Sequence, residues 1–301
     1  MIIHLEHHEI DRERWDNCIS NTPGAKPYGY SWYLDIMAPG WEALAENDYY
    51  SVFPLPGFKK YGINYISTPA FIQRLGVFSP DTGKSEMIND FLKKVPDHFR
   101  LIDLNVGQEV KNESFRVSVR TNFELDLSPS YDQLWNNFSH HCKRNIDASA
   151  RQSHELIRDI EPSELIGLFR QNSGREIREL KDLHYNRLNH FMNYCIRNNL
   201  GRITGVKDAG KKLIFGIFIV ETDGNKIMLL VVNTPASREK RIGYYAVNEL
   251  IKESAGSQMI LDFEGSSIPS IASFMASFGS KNVPFYRVYR NRLPWPIRIF
   301  K

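Results

Sequence analysis

The stretch NTPASREKRIGYYAVNELIKESAGSQMILDFEGSSIPSIASFMASFG, residues 233–279, decides the fold. It opens with a polar, basic loop over 234–241, and Gly243 then starts a helix running from Tyr244 to Glu253. A strand follows over 259–263, then a turn at 264–267 and a helix over 268–278. A helix start presents unpaired N–H groups and a partial positive charge, a combination that suits a phosphate. A glycine there lets the backbone approach the anion closely. Arg238, Lys240, Arg241, Gly243 and Tyr244 are therefore the candidate donor-binding residues. Asp262 and Glu264 stand at the carboxyl end of the strand beside a glycine turn, where carboxylates of α/β folds face a cleft. Alternation puts both on one face. Glu264, with Asp262 beside it, is the candidate general base. The competing role for each is a helix cap or an ion pair.

Upstream, three strands are expected at 202–206, 213–220 and 227–232, preceded by helices over 162–174 and 183–198. Pro162 suits a first helical turn, and Leu200-Gly201 a helix end. The first half repeats the order more faintly. A strand at 1–5 precedes a helix capped by Asp11 and a short helix at 32–37 capped by Ser31. Strands at 49–53 and 61–66, a helix over 85–95 and a strand over 101–106 complete it. Strand, strand, loop, helix, strand thus occurs near 49–106 and again near 201–263, which reads as a doubled architecture. The break at Leu127-Ser128-Pro129-Ser130 divides the chain into 1–128 and 129–301, with the last strand able to return to the first half.

Three other clusters carry candidate chemistry. Gln73 and Arg74 lie in a segment, 69–79, that mixes aromatics with polar residues between prolines. Tyr30 and Trp32 lie upstream and are candidate walls of the same substrate cleft, against an ordinary packing role for aromatics. Lys143 and Arg144 are candidate contacts to an anionic substrate, against an exposed helix face. Finally, Lys281, Arg287, Arg290, Arg292, Arg298 and Lys301 make the last 21 residues basic with no acid among them. That run reads either as a solvated strand or as a patch for a phosphate-bearing ligand.

Length and composition set the frame. The 301 residues suit two domains of ~150 residues. With 42% hydrophobic and 24% charged residues the chain is an ordinary globular protein, and its net charge of +3 gives no whole-molecule field for nucleic acid. Three widely spaced cysteines and the adjacent pairs His7-His8 and His140-His141 indicate neither a disulfide framework nor a metal site, so no metal is expected. The charged N-terminal segment does not read as a signal peptide, and no stretch approaches the ~20 apolar residues of a membrane span. A cytoplasmic protein is expected.

Five segments together resemble the Fem-type branch of the GNAT superfamily, the peptidoglycan aminoacyltransferases. They are 31–35 (SWYLD), 69–79, the helix with Lys143-Arg144-Asn145-Ile146, the helix opened by Gly243, and 262–266 (DFEGS) followed by 271–279. The resemblance covers nearly the full length. It implies a mixed α/β fold of two tandem GNAT-like domains packed across a cleft. It also implies transfer of an acyl or aminoacyl group from acyl-CoA, such as acetyl-CoA, or from aminoacyl-tRNA to an amine, with a small molecule or cell-wall precursor as acceptor. In that superfamily the donor's pyrophosphate sits at a loop–helix start of pattern Arg/Gln-x-x-Gly-x-Gly/Ala. Lys240, Gly243 and Tyr245 stand at those places here, and the middle glycine matches. Backbone N–H groups of a splayed strand near 229–232 would then hold the oxyanion. Two rivals remain: a non-catalytic GNAT-like binding module, and a tRNA-binding or other RNA-binding protein using Lys143, Arg144 and the basic C-terminal run.

Overall fold

A computed structural model of the chain describes residues 1–81, 86–152, 154–222, 224–266 and 268–295. Residues 85 and 267, which fall in the helix and the turn expected above, and Arg298 and Lys301 lie outside the described residues. The chain divides into two compact units, residues 1–120 with 284–301, and residues 121–283.

Unit 1 runs β1 (Ile2–Leu5), α1 (Arg12–Ser20), α2 (Ser31–Met37), β2 (Glu42–Glu46), β3 (Ser51–Leu55), β4 (Gly57–Lys60), β5 (Ile63–Ser67), α3 (Met87–Lys94), β6 (Phe99–Val106) and β7 (Arg116–Arg120). β1, β2 and β3 form an antiparallel sheet. β4, β5, β6 and β7 join a second sheet, with β5 and β6 parallel across the α3 crossover. Its remaining strand comes from the end of the chain (Phe285–Asn291, the last in the order below) and lies between β6 and β7. Asp11 caps α1, accepting from the Arg14 N–H at 3.1 Å. Ser31 does not cap α2 as expected. It is the first helical residue, and both its N–H and its hydroxyl donate to Asp16, at 2.7 Å each.

Unit 2 contains β8 (Phe123–Asp126), α4 (Tyr131–Asn137), α5 (His140–Ala150), α6 (Pro162–Gln171), α7 (Asp182–Arg197), β9 (Gly201–Lys207), β10 (Leu213–Thr222), β11 (Asn225–Asn233), α8 (Pro235–Glu239), α9 (Ile242–Ser254), β12 (Ile260–Asp262), α10 (Pro269–Ala276) and β13 (Lys281–Asn282); β14 (Phe285–Asn291) is the returning strand of unit 1. The sheet order is β13-β8-β12-β11-β10-β9. In this sheet, among the described residues, only β11 and β12 run parallel, joined by the α8–α9 crossover. The sequence reading put the domain break at 128/129. The unit boundary falls at 120/121, since β8 pairs with both β12 and β13. The basic loop over 234–241 also differs from expectation. Thr234 caps it into the short helix α8, its hydroxyl accepting from the Ser237 N–H at 3.3 Å.

The core of unit 2 is built from both faces of this sheet. Phe278 is fully buried and packs against Phe138, Phe263 and Phe274 at centroid distances of 5.3, 6.0 and 5.2 Å. Edge-to-face and offset pairs of this kind add to the area they bury. The three cysteines are all buried and unbridged. Burial pushes the thiols of Cys18 and Cys142 up to about 11, and that of Cys195 up to about 12. The thiolate is the reactive form, so at pH 8 the native protein should resist a thiol-alkylating reagent. All three cysteines should label once denaturant is added, as mass spectrometry would count.

Candidate functional site

The geometry of interest lies where β11 leaves β12. The two strands pair only through Asn225–Ile260, Lys226–Leu261 and Ile227–Asp262. Immediately beyond, β11 carries a bulge: Phe218 of β10 faces Leu230 while Val220 faces Ile227, so β11 spends one extra residue over 228–229. A bulge bends its strand and raises the local twist. Among the described residues, 228–233 of β11 then have no strand partner on the β12 side. The extra residue also resets the alternation, bringing Met228, Val231 and Asn233 to one surface.

That surface bounds a cavity of about 460 Å³. Met228, Val231 and Asn233 come from β11, Phe215 from β10 and Phe263 from the end of β12. Gly243 and Val247 come from α9, and Ile271, Phe274 and Met275 from α10. Ser173, Arg238 and Ser270 supply polar groups beside Asn233, and no carboxylate lines it among the described residues. The start of α9 reaches this cavity. Arg241 precedes the helix in the left-handed region (φ 58°) and gives it no side-chain cap. A β-carbon on Gly243 would lie 3.4 Å from Asn233 Nδ2, 3.7 Å from Phe215 and 3.9 Å from Phe274. Those are ordinary contacts, so aromatic rings wall the helix start.

The candidate donor-binding residues separate here. Gly243 and Arg238 line the cavity, with Arg238 Nε donating to the Asn233 carbonyl at 3.0 Å. Lys240 and Arg241 are exposed and do not line it. Tyr244 does not line it either: its ring lies 4.8 Å from that of Phe274 and 5.9 Å from that of Phe278. Burial raises the Tyr244 phenol above its ordinary value, with the nearby Cys142 adding to the effect.

Asp262 and Glu264 flank Phe263, which lines the cavity. Asp262 is fully buried, and its Oδ1 accepts from the Glu264 N–H at 2.9 Å. Glu264 lies beyond the end of β12 with φ at 55°, so the expected alternation with Asp262 on one strand face does not hold. The left-handed turn is closed by Gly265, whose N–H donates to Asn122 Oδ1 at 2.7 Å.

The candidate substrate-binding residues divide between the units. Tyr30 and Trp32 stack at 6.2 Å in unit 1. Arg74, also in unit 1, is buried, donates to Gln73 Oε1 at 2.7 Å and lies over the ring of Phe285. Lys143 and Arg144 lie on α5 in unit 2, where Lys143 Nζ donates to the Asn136 carbonyl at 3.3 Å and sits over Trp135. Sequence reasoning missed Phe215, Met228, Val247, Phe274 and Met275. Their only signal was apolar periodicity, which core residues share.

No group of three or more His, Cys, Asp or Glu side chains placed to hold a metal occurs among the described residues. No helix among them is long and apolar enough to cross a membrane. No protein-family model matches the chain, and none of the curated protein sequences compared matches it. Solved structures do. FemX is similar at a TM-score of 0.63 and 11% identity, over 95% of this chain and 96% of that one. L-PGS from Bacillus licheniformis is similar at 0.52 and 12%, over 96% and 95%. A conserved protein of unknown function from Bacteroides thetaiotaomicron is similar at 0.55 and 9%, over 93% and 97%. At such identities the likeness speaks for architecture alone: this chain has the fold of FemX, over nearly the full length of both chains.

Proposed function

We propose that this chain is an N-acyltransferase whose donor places its acyl group in the unit 2 cavity, between the diverging β11 and β12. The observation that carries the reading is the bulge at 228–229, which frees the backbone of β11 on its β12 side next to an apolar cavity. In that pose the N–H groups of 229–232 would stabilise the oxyanion as an acceptor amine attacks the donor carbonyl. A C–N bond forms and the donor's C–S or C–O bond breaks. The proton lost by the amine passes to Glu264 or to water, and the leaving thiolate or hydroxyl oxygen takes one up. Asp262 positions Glu264 by holding its N–H. Arg238 and the α9 start at Gly243 would face the donor's phosphates, with Lys240 and Arg241 adding charge from outside the cavity. Holding the two reactants together supplies much of the rate.

The lining favours an apolar acyl group over a cationic aminoacyl group. A charged ammonium in a cavity with an arginine and no carboxylate would lose hydration without a partner. FemX and L-PGS support a transferase reading in general terms, with cell-wall or lipid acceptors as the classes to try. Acetyl-CoA and longer acyl-CoAs should raise the Tm of the full chain, with a larger shift for the longer apolar chains. If no acyl-CoA binds but aminoacyl-tRNA does, the donor assignment is wrong. If neither binds, the transferase reading fails.

A further inference from the structure

β7 is the outermost strand of the unit 1 sheet, whose order is β4-β5-β6-β14-β7. Its pairing with β14 runs from Arg116–Tyr289 to Arg120–Phe285 and occupies one edge of the strand. Along the other edge its backbone N–H and C=O groups find no backbone partner among the described residues. Such a row of open donors and acceptors is a template for a further strand.

The side chains of β7 sort by alternation. Arg116, Ser118 and Arg120 stand on one face, Val117 and Val119 on the other. Arg116 and Ser118 are exposed and Arg120 is half-buried, and neither arginine makes an ion pair among the described residues. Four residues separate the two cations, about 13 Å along the strand. The valine face is the inward one, since Val117 stands opposite the fully buried Val288. Inward packing stops short of Val119, which is 67% exposed. Open backbone, two uncompensated cations on one face and an uncovered aliphatic side chain on the other therefore meet on a single strand.

We propose that β7 receives an extended acidic segment of a partner protein as a sixth strand of this sheet, its carboxylates facing Arg116 and Arg120 and its alternate, apolar side chains covering Val119. Main-chain pairing supplies affinity in this mode of recognition, and the alternating side chains supply selectivity. Other occupants satisfy fewer of these features. A phosphate group would pair with the arginines but offers no N–H to the open carbonyls. A second copy pairing antiparallel about Ser118 would set each Arg116 against an Arg120, and like charges directly opposite destabilise a sheet. The chain's own residues 296–301 carry Arg298 and Lys301 and no acidic side chain, so their charge has the wrong sign. The surface lies in unit 1 and does not depend on the transferase reading of unit 2.

Fluorescence anisotropy of the full chain with a labelled, end-capped peptide of core sequence Glu-Val-Thr-Val-Glu tests it, beside the same peptide with lysine in place of glutamate. Saturable binding of the glutamate peptide alone is expected, weakening as salt rises. The charge-swapped variant Arg116→Glu/Arg120→Glu should weaken that binding at least about tenfold, because two attractive pairs become repulsive, and should take the lysine peptide instead. Its Tm should stay near that of the parent, since neither arginine has an ion pair to lose. Methylating alternate backbone nitrogens of the glutamate peptide separates strand pairing from plain charge attraction. Methyl groups on the peptide edge that meets β7 should abolish binding, and methyl groups on its other edge should leave it intact. The proposal is overturned if the glutamate peptide does not bind saturably, if the lysine peptide binds the parent equally well, or if the charge-swapped variant keeps the parent's preference. Equal loss with both methylated peptides would overturn it too. A dimer of the chain that the peptide does not dissociate would assign the edge to a second copy. Single-stranded RNA that binds more tightly than the peptide, and is lost in the charge-swapped variant, would assign it to nucleic acid.

Discussion

Replacing Gly265 with alanine should destabilise unit 2 by about 2–3 kcal/mol, an overpacking cost placed against backbone rather than side chain. A β-carbon at Gly265 would sit 2.1 Å from the Thr121 carbonyl oxygen and 2.4 Å from the Asn122 Cα. Neither atom can rotate away. Both belong to the segment that leads into β8, which pairs with β12 and β13. Relief therefore requires either the turn after β12 or the start of β8 to move. Moving the turn breaks the Gly265 N–H to Asn122 bond and disturbs the Glu264 N–H to Asp262 bond. The expected fall in Tm is roughly 5–10 °C for a unit of this size. Gly167→Ala is the matched control. Gly167 sits inside α6 with no atom within 4 Å of where its β-carbon would be. There alanine gains helix propensity worth up to ~1 kcal/mol, so the same chemical change should raise the Tm. A Gly265→Ala protein as stable as the parent would show that the turn is not held as described.

How much of this was legible in the residues depends on where the information lay. The long apolar strand β10 and the amphipathic α9 were readable because burial on both faces, or on one, leaves a local pattern. β2 was not. Its residues, Glu-Ala-Leu-Ala-Glu, favour helix, and only pairing to β1 and β3 on either side makes it a strand. β7, Arg-Val-Ser-Val-Arg, is short and largely exposed at a sheet edge, so it lacked an apolar face to announce it. β8, just before the break at 127–130, drew no strand reading, because its place between β12 and β13 is a property of the whole sheet and not of four residues.

The candidate site shows the same division. The helix start at Gly243 and the carboxylates near the end of β12 were found because loop chemistry is local. The cavity wall was not, because Phe215, Met228 and Phe274 meet only after β11 bulges. Nothing in the run Ile-Met-Leu-Leu-Val-Val over 227–232 marks which residue is the extra one. The basic C-terminal run was visible, but its pairing was not. Separating Arg290 from Arg287 and Arg292 required knowing which arginine finds an aspartate, and those partners lie 184 and 195 residues away in the chain.

The sharpest test of the transferase reading is Val231→Trp. Val231 stands on the surface of β11 that faces the cavity, three residues past the start of the bulge and only partly buried. An indole there would occupy space within the 460 Å³ recess and close the gap beside the freed backbone of 229–232. Because the space is already present, the core need not be rebuilt, and the Tm should change by no more than a few degrees. If the donor's acyl group sits there, its binding should fall on the order of 10²-fold, equivalent to ~2.7 kcal/mol. Turnover of any acceptor should fall with it. Val231→Ala enlarges the same recess and should shift preference toward longer acyl chains while keeping the short ones. The pair separates occlusion from damage, since a merely structural role for Val231 would make both variants worse in proportion to their loss of stability. A tryptophan variant that binds acyl-CoA as the parent does, at unchanged Tm, would place the donor elsewhere and remove the diverging strands from the mechanism.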